Sequence, residues 1–132
     1  MTRKILAIVL SMITVLSVCT ITLFSAFAAS PSTQVSLTTK QTSAVSSNIL
    51  TTATTASIYN ASSSAHRVYG IIQYKSGTDN YVDDGQVLVS PGKNETVNSK
   101  SSFLSSKYWR LELNPYGLGS KSCTADGTIS AR

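Results

Sequence analysis

The sequence predicts an all-β fold: a small antiparallel β-sandwich of six to eight strands, Ig-like or similar. Three observations carry this expectation. Beyond residue 28 the apolar residues alternate with polar ones in short runs, and clusters of Gly, Pro, Asn, Asp and Ser punctuate those runs. No stretch in that region repeats apolar residues at helical spacing over a helical length. Without a helix to cross over, strands linked by short turns pair antiparallel.

The first element is a leader rather than part of the fold. Thr2-Arg3-Lys4 is followed by an apolar run from Ile5 to Phe27 and by Ala26-Phe27-Ala28. A basic start, an apolar middle and an A-x-A end are the parts of a secretory signal peptide, so residues 1–28 are assigned as a cleaved signal and the mature chain is expected to start at Ala29. The apolar run is also long enough for an uncleaved anchor, against which the Ala-rich end argues. Lipidation at Cys19 is disfavoured because Val18, not a small residue, precedes it.

Cleavage leaves 104 of the 132 residues, enough for one core and too few for two. From Ser30 to Ser57, 15 of 28 positions are Ser or Thr. Residues 29–47 therefore read as a strand or a flexible segment, with the sandwich domain proper over 48–132. Residues 48–59, with Ile49, Leu50, Ile58 and Tyr59, are expected to form one strand. His66 to Lys75 alternates Val68, Gly70, Ile72 and Tyr74 against Arg67, Tyr69, Ile71 and Gln73, and apolar residues on both faces mark a central strand. Ser76 to Asn80 reads as a turn and Asp83-Asp84-Gly85 as a second one before a strand from Gln86 to Ser90. Ser90-Pro91-Gly92-Lys93 carries Pro and Gly where a type II turn needs them. Lys107 to Leu113 is the best-patterned strand, with Trp109, Leu111 and Leu113 on one face and Trp109 expected at the centre of the core. After a loop from Asn114 to Gly119, residues 120–124 and 128–131 are expected to form a hairpin through Asp126-Gly127.

The mature composition narrows the function classes. Nine Lys and Arg stand against six Asp and Glu, a net charge of +3 once Arg3 and Lys4 leave. The lysines are scattered in sequence, which is no nucleic-acid footprint. No methionine remains and Cys123 is the only cysteine, so no intrachain disulfide forms. That thiol is expected to be buried, to be reactive, or to link two chains as an intermolecular disulfide in a dimer.

Few residues suit catalysis. His66 and Cys123 are the one nucleophilic pair to consider, with Arg132 as an oxyanion partner. Sortases also combine Cys, His and Arg, but they present T-L-x-T-C at a strand end, whereas Cys123 follows Gly119-Ser120-Lys121-Ser122, so no family is assigned on that basis. Asp79, Asp83 and Asp84 gather around one loop but lack the spacing of a calcium loop. Glu95 and Glu112 have no context marking a glycosidase pair. Asn60-Ala61-Ser62 and Asn94-Glu95-Thr96 match the N-glycosylation acceptor. No catalytic residue, metal site or cofactor is assigned.

Exposed aromatics beside cations are the remaining functional material. Tyr69, Tyr81, Tyr108 and Tyr116, with Arg67 and Arg110, are the candidate binding residues, because flat rings next to polar donors suit sugars and protein partners. The expectation is a small secreted, non-enzymatic protein, extracellular or cell-wall associated, that binds a polysaccharide, a surface protein or a secreted partner. It has no nucleic-acid partner and no stable membrane anchor after cleavage. The alternatives are a secreted antagonist, such as a bacteriocin-like toxin or an enzyme inhibitor, and a Cys-His enzyme.

Overall fold

The structure, a computed structural model, describes residues 29–132; the leader assigned to residues 1–28 lies outside the described residues. Among the described residues there are nine strands: β1 (Ser32–Leu37), β2 (Ala44–Val45), β3 (Ile49–Thr51), β4 (Thr54–Asn60), β5 (Val68–Ser76), β6 (Asn80–Val89), β7 (Asn94–Asn98), β8 (Lys107–Pro115) and β9 (Ala125–Ala131). They form two antiparallel sheets, one ordered β1-β9-β4-β7 and the other β2-β8-β5-β6, with β3 also on β8. The described residues are all-β, as expected.

β2 and β3 are two halves of one edge strand. Both pair with β8, β2 opposite Leu113 and Glu112 and β3 opposite Trp109 to Lys107. Between them the Ser46 hydroxyl accepts from the Leu111 amide at 2.9 Å, while the Ser46 amide donates to the Leu111 carbonyl. Counting them as one, the eight strands run 1-8-3-6 and 2-7-4-5 in the two sheets. That interleaving is the rolled double Greek key of a jelly roll. An immunoglobulin sandwich keeps its last two strands side by side in one sheet, and here β8 and β9 lie in different sheets.

The core fills the space between the sheets. Trp109, Leu111 and Leu113 project inward from β8 and are fully buried, together with Ile58, Val68, Ile72, Val89 and Ile129. Trp109 sits among aromatics, with ring centroids 5.5 Å from Tyr74 and 5.8 Å from Phe103, and its Nε1 donates to the Thr51 carbonyl at 2.9 Å. Stacking β8 and β5 side by side, Tyr74 opposite Trp109 and Ile72 opposite Leu111, makes a continuous apolar floor. β5 is interior to its sheet, as its two-sided apolar pattern predicts.

Three local expectations need correction, and one open alternative is decided. Residues 48–59 are not one strand: the chain leaves β3 in one sheet, passes Thr52-Ala53 and enters β4 in the other. Of the two readings of the Ser/Thr-rich segment, strand or flexible, the strand is found: β1 pairs with β9 over its whole length and buries Val35 and Leu37. Asp83-Asp84-Gly85 is not a turn. β6 runs through it, and the β5 register steps from Gly85 to Asp83 so that Asp84 is the extra residue of a β-bulge. The displaced Asp84 carboxylate accepts from the Ser101 amide at 2.8 Å and from the Ser101 hydroxyl at 2.6 Å, pinning the loop between β7 and β8.

Asp126-Gly127 is likewise no hairpin. β9 is continuous and paired on both sides, Gly127 opposite Val35 on β1 and Ile58 on β4. Its glycine answers to packing: a Cβ there would lie 2.6 Å from Leu111 Cδ2. The turn at 90–93 does form, with the Lys93 amide donating to the Ser90 carbonyl at 3.1 Å and Gly92 at φ 77°.

Candidate binding face

Alternation along the strands decides which candidates meet. On β8 the residues between the buried ones, Tyr108, Arg110, Glu112 and Asn114, face outward. Register places Tyr69 opposite Asn114, Gln73 opposite Arg110 and Lys75 opposite Tyr81. Tyr69, Tyr81, Tyr108 and Arg110 therefore share the outer face of the five-stranded sheet. Arg67 and Tyr116 flank that face at the ends of β5 and β8, held by the Tyr116 amide donating to the Arg67 carbonyl at 2.8 Å. The structure thus gathers all six candidates on one side of the molecule, but into three separate environments.

The first environment is open. The Tyr69 and Tyr116 rings lie 5.8 Å apart at 41°, and the Arg67 guanidinium packs 4.7 Å from the Tyr116 ring centroid. Beside them is a depression of about 590 Å³ lined by Thr42, Ser43, Asn114 and the loop 115–119. Two aromatic rings, an amide and two hydroxyls there border one open space, with the Arg67 guanidinium behind the Tyr116 ring. Those are the groups that grip a sugar ring: apolar C–H faces against aromatics, hydroxyls against amide and hydroxyl partners.

The second environment is closed on itself. Arg110 lies 3.5 Å from the Tyr81 ring centroid, and its Nε donates to Gln73 Oε1 at 2.8 Å. Gln73 Nε2 in turn donates to Asp83 Oδ1 at 2.8 Å and Glu112 Oε2 at 3.1 Å. The Tyr81 hydroxyl donates to Asn48 Oδ1 at 2.9 Å. Tyr81 starts on the β6 edge and Asn48 lies on the opposite edge, three strand spacings or about 14 Å away on a flat sheet, so curl of the sheet brings them together. These contacts tie Tyr81 and Arg110 into the sheet, where they brace its curl.

Tyr108 stands alone. It is half exposed, paired across strands with Leu50 on the β3 edge, and borders a smaller hollow of about 310 Å³ with Lys75 and Lys107. Sequence reasoning missed Asn114, Thr42 and Ser43, because nothing local marks a loop 70 residues away as the wall of a cleft.

The other candidates separate too. Cys123 is fully buried, and its sulfur lies 3.5 Å from the His66 carbonyl oxygen and 3.9 Å from that of Lys121. The thiol therefore contacts the main chain of His66, whereas His66 itself is exposed. Of the three alternatives for this thiol the described packing has it buried, and an intermolecular disulfide there would require opening the surrounding loops. Asp83 and Asp84 engage Gln73 and Ser101 respectively, and Asp79 lies in an exposed turn, so the three carboxylates do not converge. Glu95 and Glu112 belong to opposite sheets.

Asn60 of the first glycosylation sequon is fully buried, its Nδ2 donating to the carbonyls of His66 and Val89 at 3.0 Å each. Its amide is structural, and a glycan there is incompatible with the folded state. Asn94 of the second sequon is exposed. No protein-family model matches this chain, and no curated protein is detectably similar to it in sequence.

Proposed function

We propose that this is a small exported, non-enzymatic binding protein that holds a glycan of a cell wall or cell surface in the cleft beside Tyr69 and Tyr116. The observation that carries the reading is the open pair of tyrosines, 5.8 Å apart, next to Asn114, Thr42 and Ser43 around one depression of about 590 Å³. Export rests on the leader pattern of residues 1–28. The shallow, polar-edged shape suits a polymer lying across it better than a small apolar ligand, which would need enclosure.

Tyr69→Ala and Tyr116→Ala are each expected to weaken retention on insoluble wall polysaccharide about tenfold, the loss of roughly 1–2 kcal/mol of ring contact. Tyr59→Ala, half exposed on the other sheet, is the control and should bind as wild type. Equal retention of all four proteins would remove the cleft from consideration.

A secreted antagonist is the second reading, favoured by the basic loops at one end of the sandwich and the fully exposed Leu118 among them. Growth inhibition of neighbouring strains by the purified protein separates it from a passive binder.

A further inference from the structure

The loops at one end of the sandwich form a single plate. They are the β1–β2 connection (38–43), the β4–β5 connection (61–67), the β6–β7 turn (90–93) and the β8–β9 connection (116–124). Backbone hydrogen bonds join them: the Ser122 amide to the Thr39 carbonyl, Ala65 to Ser122, Ala61 to Thr124, and Asn60 to Lys93, all at 2.9–3.0 Å. Beneath the plate, buried Asn60 ties the start of β5 to the end of β6. The four loops are therefore tied into one surface.

Charge is segregated onto that surface. The loops hold Lys40, Arg67, Lys93 and Lys121, four of the nine cations in residues 29–132, and none of the six carboxylates. All four cations are exposed. The nearest carboxylates in sequence, Glu95 and Asp126, lie on β7 and β9 of the four-stranded sheet, and Asp126 accepts from the Ser36 hydroxyl at 2.6 Å. The scatter of lysines along the chain thus folds into a basic end.

Within the basic plate stands one large aliphatic residue that folding leaves bare. Leu118 has 108% relative exposure and sits between Gly117 at φ 106° and Gly119 at φ 66°. Positive φ on both sides holds the leucine out from the loop, next to the half-exposed ring of Tyr116. Residues 29–31 and the C-terminus lie at the opposite end, where the Ala131 amide donates to the Pro31 carbonyl.

We propose that this end docks on the surface of an anionic phospholipid membrane. The four cations meet the headgroup charge, Leu118 enters the boundary between headgroups and acyl chains, and the Tyr116 ring rests at the interface. A soluble anionic polymer satisfies the cations but offers no apolar phase for Leu118. This docking shares Tyr116 and Leu118 with the rim of the glycan cleft, but Tyr69 takes no part in it and Lys40, Lys93 and Lys121 do not line the cleft, so Tyr69→Ala and the lysine variants tell the two readings apart.

The test is co-sedimentation of the 29–132 protein, which contains the whole described core, with vesicles of phosphatidylglycerol and phosphatidylcholine in equal parts or of phosphatidylcholine alone. Binding is expected only to the anionic vesicles, and it should vanish at about 1 M salt, where the screening length is about 3 Å. The triple variant Lys40→Gln, Lys93→Gln and Lys121→Gln should bind about a hundredfold more weakly, about fivefold per charge. Leu118→Ser should lose about tenfold. Each altered side chain is exposed, so the variants should melt like wild type. A Leu118→Trp reporter should shift its emission to the blue on anionic vesicles while buried Trp109 stays constant. Absence of binding, equal binding to both vesicle types, or binding that neither variant weakens would overturn the proposal. So would tight capture by soluble glycerol-phosphate polymer unaffected by Leu118→Ser, which would reassign the end to a wall polymer.

Discussion

Trp109→Ala is expected to abolish stable folding of the domain. The indole is fully buried and packs against Tyr74 and Phe103, so truncation leaves a large void between the sheets and costs about 3–5 kcal/mol. It also removes the Nε1 donor to the Thr51 carbonyl at the β3 edge, adding about 1–3 kcal/mol if that acceptor stays dry. Small domains have only about 5–15 kcal/mol in total, so the variant should show little or no cooperative transition in thermal or urea unfolding. Trp109→Phe retains most of the volume and should stay folded with a lower melting temperature. A Trp109→Ala protein that melts within a few degrees of wild type would contradict the placement of this residue at the core centre.

Asn60→Leu should have the second largest effect, although it exchanges side chains of similar size. Asn60 Nδ2 serves two carbonyls, those of His66 and Val89, from a fully buried position. Leucine removes the amide donor from both and leaves the His66 carbonyl with the weak Cys123 thiol at 3.5 Å, at about 1–3 kcal/mol in all. The loss falls where the β4–β5 connection meets the end of β6, next to the buried Cys123 thiol. Wild-type Cys123 should therefore resist a thiol alkylator under native conditions and react on denaturation, and Asn60→Leu should react faster while still folded. Rapid labelling of the wild-type protein would show that the loop end is open, contrary to the packing described.

Much of the sandwich is legible in the chain because alternation is a strong local signal where one face is buried. Lys107 to Leu113 and His66 to Lys75 show it clearly, and both become interior strands of the five-stranded sheet. Proline and glycine at 91–92 specify their turn through φ alone, so that reversal also follows from local rules. The misreadings share one cause. Gly85 and Gly127 follow aspartates and resemble turn glycines, but each is a glycine where another chain segment comes too close for a Cβ: the Asn98 carbonyl oxygen would lie 2.8 Å from one at Gly85, and Leu111 Cδ2 2.6 Å from one at Gly127. Close approach between segments far apart in sequence leaves no local mark. The break between Thr51 and Thr54 is hidden for the same reason, since Ile49 and Ile58 are equally apolar and only the second sheet separates their roles.

The candidate surface is legible by residue type but not by environment. Tyr and Arg beside one another mark a candidate surface, and alternation correctly turns Tyr69, Tyr81, Tyr108 and Arg110 outward. Whether a ring is free or engaged depends on its neighbours across the sheet. Tyr81 is occupied because Asn48 and Arg110 reach it, while Tyr69 and Tyr116 border open space. The basic end is hidden more deeply, because Lys40, Arg67, Lys93 and Lys121 are far apart in sequence and meet only through the double Greek key.

The most direct measurement of the central claim is a titration of isotope-labelled 29–132 protein with solubilised wall polysaccharide, followed by backbone amide shifts. The cleft account predicts that the largest perturbations fall on residues 42–43, 67–69 and 114–119, and that Tyr69→Ala suppresses them. Perturbations centred on the outer face of the four-stranded sheet, or no change at saturating glycan, would contradict it.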